Sequence, residues 1–270
     1  MTRNGEATVE IKETNADAIA ADVATDTPDS AGTRTWTLIL IRHGETSWNE
    51  EGRIQGQEDI ELSDEGRLQV RKLGRRFSAA CRSIAPRALL ACLGSEPLSV
   101  AAQFSSDLCR ATETARVVQG SSPHLGPLRL YSMTLLRERH FGQWQGKTAD
   151  AIKEARAAGV GDTPPGGETE NQVFARMRDA LDVMVTHLET SPGTDSRIGL
   201  VYGHGSSLRA LICFALGLGA KDMRRFRLDN TSLTVIQIEG QYGDETVTIE
   251  NGRLLCLNEA AHLLSPEVLV

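Results

Sequence analysis

The sequence predicts an α/β protein, a three-layer α/β/α sandwich around a mostly parallel central sheet. Three observations carry that prediction. From Trp36 onward, strand-length apolar runs alternate with segments of helical periodicity, the pattern of a doubly wound sheet. The first run, "WTLILI", is apolar throughout, as a central strand buried on both faces requires. The chain of 270 residues is 40% hydrophobic and 24% charged, enough for an ample core without a disulfide or metal staple.

Residues 1–35 stand apart from this pattern. They are rich in Ala, Thr and Asp, hold almost no large apolar side chains, and carry three basic against seven acidic residues. Such a segment buries too little surface to offset its ordering entropy, so a disordered acidic leader is expected, with 36–270 as a single domain. It has neither the apolar stretch of a secretory signal nor the Arg-rich character of a transit peptide.

Within 36–270 the elements follow in order. After the strand ending at Ile41 and the turn "LSDEG", Val70, Leu73, Phe77 and Ala80 recur near the helical period. Residues 80–98 read as a helix end plus an extended connection. "SVAAQF" (99–104) is the second strand, "DLCRATETARVV" (107–118) a helix and "LRLYSM" (128–133) a third strand. Thr169 and Gln172 are spaced as a capping box, and Val173, Met177, Leu181, Met184 and Leu188 then form one stripe, a core face rather than a cofactor box. "RIGLVY" (197–202) is a strand, followed by a helix through "LRALICFALGL". "SLTVIQI" and "ETVTI" form a hairpin that closes near Glu250.

Composition also excludes functions. Aromatic residues are 4% of the chain, too few for a stacking platform for single strands. A net charge of −7 with no basic block argues against nucleic acid or an anionic membrane as partner. No apolar run approaches the ~20 residues that cross a bilayer. Cys81, Cys92, Cys109, Cys213 and Cys256 are odd in number and scattered, which fits neither a disulfide framework nor a zinc site and points to a reducing, cytoplasmic compartment. No metal and no cofactor are expected.

The chemistry shows as a recurrence at strand ends. The first strand stops on Arg42 and His43, the second runs into "SSDLCR" with Arg110 in the next helix's first turn, and "RIGLVY" runs into "GHGSS" with His204 between glycines. In an open α/β sheet, ligands bind outside the carboxyl ends of the strands, so these three ends are expected to converge. Two arginine forks, helix N-termini and the close backbone approach that Gly203 and Gly205 permit would suit a compact dianion such as phosphate. A neutral imidazole attacks phosphorus, and neighbouring positive charge keeps it unprotonated. Glu138, in "LRERHFGQWQG", is placed to pass a proton to a leaving oxygen and then to activate water.

Taken in order, "RHGETSWN", "RIQGQEDIELSDEG", "SSDLCRATETA", "LRERHFGQWQG", "PPGGETENQVFARM" and "VYGHGSSLRAL" resemble the blocks of the histidine phosphatase superfamily, also called phosphoglycerate mutase-like. The resemblance runs from about Trp36 to Glu250. It implies that His43 is the phosphorylated nucleophile and Glu138 the proton donor, with Arg42, Arg110 and His204 completing the phosphate pocket. It further implies substrate contacts from Asn49, Gln55, Gly56 and Gly205, a small phosphorylated substrate, and catalysis without a metal. Tyr202 and Ser206 depart from the more usual "SHGG" around the histidine. His124, His140, His187 and His262 are read as surface or structural.

Two decoys fail on physical grounds. "CRSIAPR" (81–87) has the Cys-x5-Arg spacing of cysteine phosphatases but follows a helical stretch and holds Pro86 where a backbone donor would be needed. "GHGSSL" lacks the G-x-S-x-G spacing of a nucleophile elbow. Between hydrolase and mutase, the short span from Gly146 to Gly166 and the blocks "FGQWQG" and "GQEDIEL" favour the phosphatase branch, while "ERH" before an aromatic and Gly echoes the mutases. A regulatory member without turnover is the third reading. Selectivity is expected in 80–98, 141–166 and the C-terminal tail.

Overall fold

The computed structural model describes residues 32–80, 98–160, 163–191 and 194–264. The expected leader up to residue 31, most of the 80–98 connection with its "CRSIAPR" segment, and the last six residues lie outside the described residues. Six strands form one sheet: β1 (Arg34–Arg42), β2 (Ala102–Ser106), β3 (Leu130–Met133), β4 (Ile198–Gly203), β5 (Leu233–Gly243) and β6 (Thr246–Glu259). Their spatial order is β3-β2-β4-β1-β5-β6. The first four of these are parallel neighbours, and the β5–β6 hairpin adds on antiparallel beside β1. The helices are α1 (Ser47–Glu50), α2 (Asp64–Ala80), α3 (Cys109–Ser121), α4 (Ala149–Ala155), α5 (Glu170–Thr190) and α6 (Gly205–Ala215).

The apolar continuity of β1 follows from its place in the middle of the sheet. Leu38 and Leu40 join the core under α5 and α6, while Ile39 and Ile41 join the core under α2 and α3. Successive side chains alternate faces, so a strand covered on both sides must be apolar at every position. Each such residue, fully buried, contributes about 1.5–3 kcal/mol of transfer free energy. The stripe from Val173 to Leu188 is buried as expected, and Thr169 with Gln172 makes the reciprocal capping box at the start of α5.

Because α2 leaves β1 towards one face and α6 leaves β4 towards the other, the crevice at the switch point lies between these two neighbouring strands. Their ends are in register: Arg42 lies opposite Gly203, and the His43 N–H donates to the Gly203 carbonyl at 3.0 Å.

Element bounds moved in several places, three of them instructive. β1 starts two residues before Trp36, because Arg34 and Thr35 pair with Gly240 and Glu239. β2 starts three residues later than "SVAAQF", ends two residues later, and includes the buried Ser105 and Ser106. β6 continues well beyond Glu250, to Glu259. Asn251-Gly252 has the composition of a turn, but a β-carbon on Gly252 would lie 1.8 Å from the Ala215 carbonyl oxygen. The glycine serves close packing against the end of α6, and the strand runs through it.

Candidate active site

His43 stands on the first bend after β1. The loop it opens is pressed beneath α2: the Gly44 N–H donates to Thr114 Oγ1 at 3.1 Å, and the Glu45 N–H to Gln69 Oε1 at 3.1 Å. A β-carbon on Gly66 would lie 2.0 Å from the Glu45 carbonyl oxygen, so only glycine lets the helix approach this closely. His43 Nδ1 lies 2.6 Å from the Gly44 carbonyl. A carbonyl only accepts, so Nδ1 carries the hydrogen and Nε2 carries the lone pair. The ring is 3% exposed, and burial, then Arg110, then Arg42 hold its pKa well below the ordinary imidazole value. The imidazole is therefore neutral, with a nucleophilic nitrogen turned away from its own backbone.

Arg110, in the first turn of α3, is fully buried. It donates to the Gly56 carbonyl (2.8 Å), the Glu58 carbonyl (2.7 Å) and His204 Nδ1 (3.2 Å). Accepting at Nδ1 leaves the His204 hydrogen on Nε2, which has no hydrogen-bond partner among the described residues. Burial and Arg110 keep this ring neutral too. The two imidazole centroids are 5.1 Å apart. Arg42 gives one terminal N–H to the Leu228 carbonyl at 2.6 Å, while its buried Nε has no partner. Two buried N–H groups at the end of β1 and β4 are thus unsatisfied by protein, an arrangement that costs free energy unless an acceptor arrives.

Glu138 belongs to this assembly and is not a solvated surface acid. Its Oε1 accepts from the N–H groups of Arg139 (2.7 Å), Ser206 (3.0 Å) and Ser207 (3.3 Å), and Oε2 shares the Ser206 N–H. Arg176 of α5 fixes the segment beneath it, donating to the Leu135 and Arg137 carbonyls and pairing with Glu168. This corrects one expectation. The first N–H groups of α6 hold Glu138, and the Cys109 N–H that opens α3 holds Asp59. An anion here would be gripped by side chains, not by those helix termini.

Arg42, His43, Asn49, Gln55, Gly56, Arg110, Glu138 and Gly205 all line one cavity of about 480 Å³, with His204 buried beside the His43 ring. Their contributions differ. Asn49 Oδ1 is engaged by Thr46, in the cap of α1, and by Asn230, leaving Nδ2 for the cavity. Gln55 is buried with Oε1 unpartnered. Gly56, expected as a substrate contact, turns its carbonyl to Arg110 and sits at φ +57, where a β-carbon would strike the Gln145 side chain. Its role in the geometry is to hold Arg110.

Sequence reading missed the outer wall: Arg53 on the loop after α1, Arg209 on α6, and the segment Phe226–Asp229. The last precedes a tight clamp, in which Asn230 Nδ2 donates to the His43 carbonyl (2.9 Å) and the Thr231 N–H to the Arg42 carbonyl (3.0 Å). Arg209, five positions after His204 in a helix already predicted, was the findable one. Phe141 reaches the cavity as the 141–166 expectation implies. A second cavity of about 430 Å³, between α2 and α3, is lined by Arg67 and Glu113, which pair with each other.

This site and fold define a class. Residues 38–248 match the histidine phosphatase superfamily (branch 1), and the chain belongs to it. Among individual relatives, it is 31% identical over 208 residues to the probable phosphoglycerate mutase GpmB of Erwinia tasmaniensis, covering 73% of this chain and 82% of that protein. It is 28% identical to the putative phosphoserine phosphatase 2 of Hydrogenobacter thermophilus, over 83% of this chain and 96% of the other. The solved structure of a mycobacterial glucosyl-3-phosphoglycerate phosphatase superposes with a TM-score of 0.65 at 28% identity, covering 84% of this chain and all of that one.

Proposed function

We propose that this chain is a phosphomonoesterase that turns over a small phosphorylated metabolite through phosphohistidine at His43. One observation carries the reading: a neutral His43 with Nε2 free stands beside two buried N–H groups, Arg42 Nε and His204 Nε2, that lack an acceptor. A phosphoryl group supplies acceptors to both while offering phosphorus to the imidazole.

In the first step Nε2 forms the N–P bond as the ester P–O bond breaks, and Glu138 passes its proton to the departing oxygen. In the second, water attacks phosphorus, Glu138 takes the water's proton, the N–P bond breaks and inorganic phosphate leaves. Arg42, Arg110 and His204 face the charge that spreads over the equatorial oxygens, and such positioned donors are the main source of phosphoryl-transfer rate enhancement. The reading uses no metal ion. The free thiols of Cys109 and Cys213 suit a cytoplasmic setting. Among the described residues no helix is long and apolar enough to cross a membrane.

His43→Ala is expected to abolish hydrolysis of a generic phosphomonoester while leaving the circular dichroism spectrum unchanged. Rapid quench of the wild type should trap base-stable, acid-labile phosphate on His43. Undiminished turnover by His43→Ala would end the proposal. The mutase names among the relatives favour one second reading, that the phosphoryl group returns to another oxygen of the same skeleton. Incubation with a monophosphoglycerate and catalytic bisphosphoglycerate separates the two, since a mutase yields isomer and a phosphatase yields free phosphate.

A further inference from the structure

We propose that Arg209 reads a second anionic group of the substrate, a carboxylate or a further phosphate, held a few bonds from the ester oxygen. The inference rests on the phosphatase reading and adds a substrate class to it.

Several cations of the cavity are already matched. Arg53 lies over the Trp48 ring and pairs with Glu51; Arg227 pairs with Asp229. Arg110 donates to two carbonyls and His204 and has the charges of Glu138 and Asp59 near it. Arg209 is different. Its Nε donates to the Gly205 carbonyl at 2.9 Å and one terminal nitrogen to Ser206 Oγ at 3.4 Å, both neutral acceptors, and it has no acidic partner among the described residues. These tethers fix a half-buried guanidinium in place without matching its charge, which is how a binding arginine differs from a solvated one.

Position then assigns it to the leaving-group side. A β-carbon built on Gly205 would lie 3.6 Å from Glu138 Oε2 and 3.9 Å from both the Arg209 terminal nitrogen and Arg42 Nε, so these three groups gather around one point. Arg209 acts on Arg42 and stands with it beside the acid that protonates the departing oxygen. The first atoms of the substrate's carbon skeleton must occupy that place.

Arg209 keeps its positive charge with no acidic partner among the described residues, and a second anion on the substrate matches it. A guanidinium with fixed geometry in a partly dehydrated cavity favours a fork-shaped carboxylate or phosphate over a hydroxyl.

The test compares 3-phosphoglycerate with glycerol 3-phosphate, which differ by carboxylate against hydroxymethyl, and glucose 1,6-bisphosphate with glucose 6-phosphate for the phosphate alternative. Wild-type kcat/KM should favour the doubly anionic member of at least one pair by tenfold or more. Arg209→Gln should remove at least tenfold of that preference, mostly through KM, and Arg209→Lys should restore part of it. Calorimetric binding of the same pairs to His43→Ala, with and without Arg209→Gln, reads the preference without turnover. If no ester is hydrolysed but the binding preference persists and depends on Arg209, the phosphatase reading fails and this inference stands. Absence of a preference in the wild type, or an Arg209→Gln effect equal for both members of every pair, overturns the inference.

Discussion

Glu138→Gln is the sharpest probe of the mechanism, because the change is nearly isosteric and the surroundings of the carboxylate are known atom by atom. Three backbone N–H groups converge on it, from Arg139, Ser206 and Ser207. The amide oxygen of glutamine can stay with those donors, which turns the NH2 group to the Oε2 position near Gly205. The fold should survive, since charge-assisted hydrogen bonds become neutral ones at a stability cost of about 1–2 kcal/mol. Proton transfer does not survive. A positioned general acid contributes about 10²–10⁴-fold, or roughly 3–5 kcal/mol of barrier. That contribution is needed only when the leaving oxygen is strongly basic. The assay is therefore kcat/KM, which reports the phosphorylation of His43, for an alkyl phosphate against 4-nitrophenyl phosphate. The alkyl ester should lose about 10²–10⁴-fold and the nitrophenyl ester less than about tenfold. The nitrophenyl ester should also show a burst of product, because water then attacks the phosphohistidine without its base. Equal losses for both esters and no burst would show that Glu138 only shapes the pocket, and would refute the acid–base assignment.

Four further outcomes follow from the same geometry. His43 should show no ring titration by 15N NMR near pH 6.5, because burial and the two arginines keep it neutral to much lower pH; a normal titration would contradict the neutral nucleophile. His262 has its pKa lowered to about 4 by burial and then by Arg76, so the folded state binds fewer protons than the unfolded chain below pH 6.5. Stability should fall as pH falls, with His262 alone accounting for about 2 kcal/mol between pH 7 and 5, and urea unfolding of His262→Gln should show a smaller fall by that amount. Thr231 is a buried β-branched residue at φ +58, a strained backbone of about 1–3 kcal/mol that is braced by the Arg42 carbonyl and by a 3.0 Å contact to His262 Nε2. Thr231→Gly should make His262→Ala less damaging to stability and to kcat, a coupling of about 1 kcal/mol in a double-mutant cycle; strict additivity would mean His262 braces nothing. Gly66→Ala should lower stability by about 2 kcal/mol or more and reduce kcat, since its methyl would meet the Glu45 carbonyl and push α2 off the loop that carries His43. An unchanged melting temperature would show that the loop yields freely.

Several features were legible in the sequence because local rules and global fold agree there. "WTLILI" had to be a doubly covered strand, since nothing else keeps four consecutive aliphatic side chains and the Trp36 ring out of water. Thr169, Gln172 and the stripe to Leu188 announced α5, because capping and a 3.6-residue period act within one helix. Arg42, His43, Arg110 and His204 stood out because each follows an apolar strand, where a charged or proton-active residue has no packing reason to be. Glu138 was harder. In "RER" it looks like a solvated run, and only the fold brings the first turn of α6 to its carboxylate.

What the sequence by itself determined was therefore the strands, the four longer helices and the polar residues at the strand ends, all properties that arise within a few residues of chain, while the short α1 and α4 escaped it. The tertiary structure alone decided who partners whom. It placed the α6 N–H groups on Glu138 instead of on a bound anion, set the Asn230–Thr231 clamp against the backbone of Arg42 and His43, and left Arg209 without an acidic partner among the described residues. These depend on contacts between segments 68 to 189 positions apart, and on which buried donors find an acceptor, which no local pattern records. For the same reason the last strand was read as ending near Glu250 and runs on to Glu259: the packing of Gly252 against Ala215, 37 residues away, is invisible locally.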